Sequence, residues 1–88
     1  MTIVYIEDDR AIAEAVRDFL AAKGCRVTVC PTLAAARQTL ADALPDLVLL
    51  DWNLPDGEGA AFCRELRARA PELPILLLTV RGDTPDVL

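Results

Sequence analysis

Apolar residues follow two rhythms along this chain. Three short runs are unbroken: Ile3-Val4-Tyr5-Ile6, Leu47-Val48-Leu49-Leu50 and Ile75-Leu76-Leu77-Leu78. Runs of this length read as parallel strands covered on both faces. A further strand, Cys25 to Val29, differs: Cys25, Val27 and Val29 alternate with Arg26 and Thr28, as on a strand with one exposed face. Between the strands the spacing turns helical. A first strand at about Thr2 to Ile6 leads into a helix from about Asp9 to Lys23, with Ile12, Val16, Phe19 and Leu20 on its apolar face and Gly24 placed to cap its end. Pro31 closes the second strand, and Thr32 caps a second helix carrying Leu33, Ala36, Leu40 and Leu44. Leu44-Pro45-Asp46 ends that helix before the third strand. Trp52 to Gly59 read as a loop turning at Pro55-Asp56-Gly57. A third helix, about Glu58 to Ala70, sets Phe62, Leu66 and Ala70 four apart, and Pro71 to Pro74 stop it before the fourth strand. The order is βαβαβαβ, with the start of something helical after Thr84.

Such alternation predicts a doubly wound α/β sheet with right-handed crossovers and strand order 2-1-3-4. The second strand is then one border and the fourth the other. A border reading Ile-Leu-Leu-Leu invites pairing with another chain, since its outer backbone groups are open. The sequence offers no fifth strand to cover it, so self-association through the fourth-strand edge, or element exchange into a dimer, is expected.

Composition narrows the field. The 88 residues suit one small domain, and 53% hydrophobic content allows a core. A formal charge of −5, with nine scattered basic residues, argues against direct nucleic-acid contact. No apolar run is long enough to cross a membrane, and the amino end lacks a signal-peptide pattern. Cys25, Cys30 and Cys63 show no metal-ligand spacing and read as small buried or half-buried apolar residues, which suits a reducing, cytoplasmic setting.

Chemistry gathers where the strands run out. The first strand enters Glu7-Asp8-Asp9, the third ends in Asp51 and the fourth in Thr79. Carboxyl ends of neighbouring parallel strands converge on one crevice. Carboxylates crowded there repel unless something positive lies between them, which makes a cation site beside a candidate acceptor carboxylate. Asp9 reads better as the cap of the first helix than as a metal ligand.

Together with Leu49-Leu50-Asp51-Trp52-Asn53-Leu54-Pro55-Asp56-Gly57-Glu58-Gly59 and Leu77-Leu78-Thr79, that acidic cluster resembles the receiver domains of two-component response regulators. The wording from Asp51 to Gly59 and at Thr79-Val80-Arg81-Gly82 looks most like the subgroup that carries a winged-helix transcription-factor domain. The resemblance spans residues 1–88 and implies a flavodoxin-like fold lacking its fifth strand and last helix. It implies a signalling domain rather than an enzyme. Asp51 would accept a phosphoryl group from a histidine kinase, with Mg²⁺ as cofactor held by Glu7, Asp8, Asp51 and the backbone carbonyl of Asn53. Thr79 would hydrogen-bond the phosphoryl oxygen and act as the switch. Trp52, next to the acceptor, would report on the site.

Two departures from the family pattern stand out. The lysine that the family places at the end of a fifth strand has no counterpart here, because the sole lysine is Lys23. Val80 stands where the family usually has a small residue. Both point to impaired switching in this form. The alternative is a receiver fragment that is not phosphorylated and acts as an interaction or self-assembly module. Other folds of this class fit less well. Three acids replace the glycine-rich turn of a dinucleotide site. Asn53 stands where a haloacid-dehalogenase-type phosphatase needs a second aspartate.

Overall fold

The structure, a computed structural model, describes residues 1–51, 53–54, 57–78 and 86–87, with the backbone alone for 53, 86 and 87. Its elements in chain order are β1 (Thr2–Ile6), α1 (Arg10–Ala22), β2 (Arg26–Cys30), α2 (Leu33–Asp42), β3 (Leu47–Asp51), β4 (Asn53–Leu54), β5 (Gly57–Glu58), α3 (Gly59–Arg69), β6 (Ile75–Leu78) and β7 (Asp86–Val87). The four long strands form a parallel sheet in the order β2-β1-β3-β6. This is the 2-1-3-4 arrangement that the apolar runs predict.

The helix signals act as expected. The Asp9 carboxylate accepts the Ile12 amide at 3.0 Å and the Thr32 hydroxyl accepts the Ala35 amide at 3.1 Å, each satisfying a first-turn donor that has no partner within its helix. At the other end of α1, Gly24 takes φ +89°. Its amide bonds Ala21 and the Cys25 amide bonds Leu20, the paired bonds of a Schellman cap.

Side chains alternate across the sheet and feed two cores. On one face Val4, Ile6, Val48, Leu50, Ile75 and Leu77 pack with α2 and α3 through Leu33, Ala36, Leu40, Phe62, Cys63 and Leu66. On the other face Ile3, Tyr5 and Leu49 meet Ala13 of α1, with Val16, Leu20, Leu76 and Leu78 only partly covered. Among the described residues, two helices cover the first face and one the second.

Several expectations are corrected. Phe19 and Ile12 do not join the core but are 63% and 43% exposed, because the apolar stripe of α1 is wider than the contact it makes with the sheet. Leu44 lies beyond the end of α2 and is exposed. The second strand starts one residue later than expected, at Arg26. Part of the loop after Asp51 is a small hairpin, in which Asn53 pairs with Glu58 and Leu54 with Gly57. Two arginines of α3 tie the helix to the backbone around it. Arg67 donates to the carbonyls of Ala70, Pro71 and Leu73, and Arg69 to that of Leu40. The helical start after Thr84 is instead the strand β7, antiparallel to β6, with Val87 opposite Leu76 and Asp86 opposite Leu77. The open backbone groups of β6 explain the change, since an edge strand recruits whatever chain can reach it. The fourth-strand border is thus already partly paired.

Candidate phosphoacceptor and metal site

The parallel register places the acids. Tyr5 lies opposite Leu49 and Ile6 opposite Leu50, so one step further brings Glu7 level with Asp51 on the neighbouring strand. Both continue the face of Tyr5 and Leu49, because side chains two apart share a face. Glu7 and Asp51 are accordingly buried, 5% and 2% exposed, while Asp8 faces outward. One carboxylate oxygen from each of Glu7, Asp8 and Asp51 lies within 4.8 Å of the other two. The structure thus brings together three of the residues expected to hold a cation, Glu7, Asp8 and Asp51. Asn53 is the first residue of the hairpin, paired with Glu58. Thr79, Trp52 and Val80 lie outside the described residues.

Each carboxylate has a defined setting. The Tyr5 hydroxyl donates to Glu7 Oε1 at 3.3 Å, and the Asp9 amide donates to Glu7 Oε2 at 3.2 Å. Burial pushes the Glu7 carboxyl up to about 7 against the lowering effect of the Asp9 amide, and the charge of Asp51 and a hydrogen bond with it push the same way. Two carboxyl groups joined by a hydrogen bond need a proton between them, so without a cation Glu7 stores that proton near neutrality. The Tyr5 hydroxyl is pushed well above its usual range, by burial first and then by the charges of Glu7, Asp51 and Asp9. Tyr5 therefore remains a neutral donor. Sequence reasoning missed Tyr5 as a site residue, although its place two positions before Glu7 on one strand was the available signal. Asp9 is engaged as the α1 cap, consistent with that reading of it over metal ligation.

A buried carboxylate pair with an exposed third acid suits a hard divalent cation, which takes oxygen ligands and retains water on its open side. The positive end of the α1 dipole, beginning at Arg10, modestly favours the ionised form of the carboxylates beside it. The lone lysine sits elsewhere: Lys23 caps the far end of α1, its ammonium 5.4 Å from the centre of the Phe19 ring.

Comparison with known proteins gives a consistent picture. A family model described as the response regulator receiver domain matches residues 3–88. The chain is 44% identical over 87 residues to the transcriptional regulatory protein RstA of Escherichia coli, covering 99% of this chain and 36% of that protein. It is 42% identical over 87 residues to the phosphate regulon transcriptional regulatory protein PhoB of Rhizobium meliloti, covering 96% and 38%. The chain thus spans little more than a third of the curated relatives it matches. Among solved structures it is similar to the BeF3-activated receiver domain of Klebsiella pneumoniae RstA, with TM-score 0.87, 36% identity and coverage of 94% of this chain and 70% of that one. It is also similar to the TrrA response regulator of Thermotoga maritima in complex with Mg²⁺-BeF, with TM-score 0.87, 25% identity and coverage of 92% and 70%.

Proposed function

Because the chain belongs to the response regulator receiver domain family, we propose that it accepts a phosphoryl group on Asp51 from a histidine kinase and passes the change to an output. That output is transcription, as the names of the relatives suggest. One observation carries the assignment: Asp51 ends a central strand, 2% exposed, within reach of two further acids that can hold a cation. A rigid strand end fixes the attacking oxygen, and positioning supplies most of what phosphoryl transfer asks of a protein.

In the reaction proposed, an Asp51 carboxylate oxygen attacks the phosphorus of a phosphohistidine. The phosphorus–nitrogen bond breaks, the imidazole nitrogen keeps the electron pair, and Asp51 carries an acyl phosphate. Glu7, Asp8, Asp51 and the carbonyl of Asn53 are the proposed Mg²⁺ ligands. Bound Mg²⁺ would offset the phosphoryl charge and polarise its oxygens. Glu7 must release its proton for that ion to enter. Tyr5 then holds the Glu7 carboxylate in place through its hydroxyl. Thr79, next after Leu78 of β6, is the proposed contact and switch for the phosphoryl oxygen. The Val80 departure predicts weaker switching than in a typical receiver.

Incubation with a small phosphodonor and Mg²⁺, read by intact mass, tests the acceptor. Uptake of one phosphoryl group that Asp51→Asn abolishes is expected. Uptake that persists in that variant would remove Asp51 from the role.

A second reading, a self-association module, is favoured by a groove lined by Ile3, Ala15, Val16, Phe19, Leu20, Leu47, Leu49 and Leu76. Pairing between copies through the β6 edge would first have to displace β7. The groove is the apolar surface that a second copy would cover.

A further inference from the structure

Gly57 carries an unusual contact. It sits at φ +156°, and a Cβ there would stand 2.7 Å from Leu33 Cδ1. Leu33 is the first residue of α2 and is 2% exposed, embedded in the core beneath the sheet. A leucine methyl so enclosed has little room to retreat. A side chain at Gly57 would therefore have to displace the Leu33 methyl at the start of α2, which glycine avoids. Leu54, opposite Gly57 in the hairpin, also packs against the core cluster that contains Leu33.

This contact bears on the site because of what the hairpin carries. Asn53 pairs with Glu58 at its base, two residues after Asp51. Fixing Gly57 fixes its partner Leu54, and with it the backbone of Asn53. The seat itself is anchored: the Thr32 hydroxyl caps α2, and the Glu7 amide bonds the Cys30 carbonyl at 3.0 Å, tying the end of β1 to the strand that leads into α2.

We propose that Leu33 is a positioning residue for the metal site: its buried methyl is the seat that holds the Asn53–Glu58 hairpin, and so the Asn53 carbonyl, at the cation formed around Glu7, Asp8 and Asp51. The inference rests on the metal site assigned above. It goes beyond that reading by giving a core leucine, itself not a proposed ligand, a share in metal affinity.

Two buried leucines of the same helix separate this from general stability. Leu33 and Leu40 are 2% and 1% exposed, both in the same core cluster, but only Leu33 lies under the hairpin in the Gly57 contact. Truncating either to alanine leaves a cavity in the same core and a comparable loss of stability. Mn²⁺ binding to the folded variants, read from the electron paramagnetic resonance signal of the free ion, gives an affinity independent of phosphorylation. Leu33→Ala should weaken it roughly tenfold, the usual scale when the support of a metal ligand is lost. Leu40→Ala should leave it within about twofold, as distant independent sites do. Gly57→Ala should weaken it in the same direction as Leu33→Ala. Leu33→Val and Leu40→Val replace the pair where the alanine variants fail to fold. Equal effects at the two leucines, with Asp8→Asn abolishing binding, would overturn the seat while leaving the metal site standing. Unchanged affinity in Asp8→Asn would overturn both.

Discussion

Replacing Glu7 by glutamine should raise the stability of the cation-free domain relative to wild type as pH increases. Glu7 is 5% exposed and its carboxyl is raised from 4.5 to about 7. Between those values the folded state binds more protons than the unfolded chain, so wild-type stability falls as pH rises through the interval. Each unit corresponds to about 1.4 kcal/mol, so full ionisation of Glu7 costs roughly 3 kcal/mol. That is a large share of the roughly 5–15 kcal/mol that holds a typical domain together. Glutamine has nothing to ionise and can donate to Asp51 at any pH. It loses one acceptor for the Tyr5 hydroxyl or the Asp9 amide, but that loss is independent of pH. The informative quantity is therefore a double difference: stability of variant minus wild type at about pH 8, less the same at about pH 5, should be about +2 to +3 kcal/mol. Urea unfolding followed by circular dichroism in the presence of a chelator measures it. Saturating Mg²⁺ should reverse the order at the higher pH, since ligand that binds only the folded state stabilises it and the variant lacks one ligand oxygen. Parallel pH profiles for the two proteins would show that Glu7 is ionised in the folded state throughout and refute the reasoning.

The same proton competes with the ion, so apparent Mg²⁺ affinity should drop about tenfold from about pH 8 to about pH 6, and Trp52 fluorescence can follow the titration. Gly24→Ala meets no atom within 4 Å, so its cost comes from φ +89° alone and should be about 1 kcal/mol in thermal or urea unfolding. Phe19→Ser removes the exposed aromatic of the groove wall, and light scattering across dilution should show less self-association than wild type. Equal association in both would remove the groove as the contact.

The sheet was legible because continuous apolar runs and a single alternating run each carry a topological meaning. Val48, Leu50 and Ile75 are at most marginally exposed, as fully covered strands require. The acids were legible for a related reason: strand ends in a parallel sheet have one place to converge. What escaped was whatever depends on a neighbour. Periodicity shows that Ile12 and Phe19 share the apolar side of α1, but not that the sheet reaches only part of that side. Nothing in the run Asp86-Val87 distinguishes a helix start from a strand, and the unpaired edge of β6 decides it. Tyr5 reads as core by composition, and it is core. Its hydroxyl becomes part of the site only because Glu7 turns inward on the same face.

The joint between β1, which ends at Ile6, and α1, which begins at Arg10, is three residues long. Each of the three has a different post: Glu7 turns inward beneath the Tyr5 hydroxyl, Asp8 points out, and Asp9 closes the helix. Similar as they are chemically, these acids are not interchangeable in order. Exchanging Glu7 with Asp8 would shorten the inward reach by a methylene, and moving Asp9 would uncap α1. A single inserted residue would shift every post by one and rotate the start of α1. This corner is thus locked in length as well as in composition. Random insertion libraries should find it among the least permissive joints of the domain, although it lies at the surface end of the strand, where connections usually tolerate change.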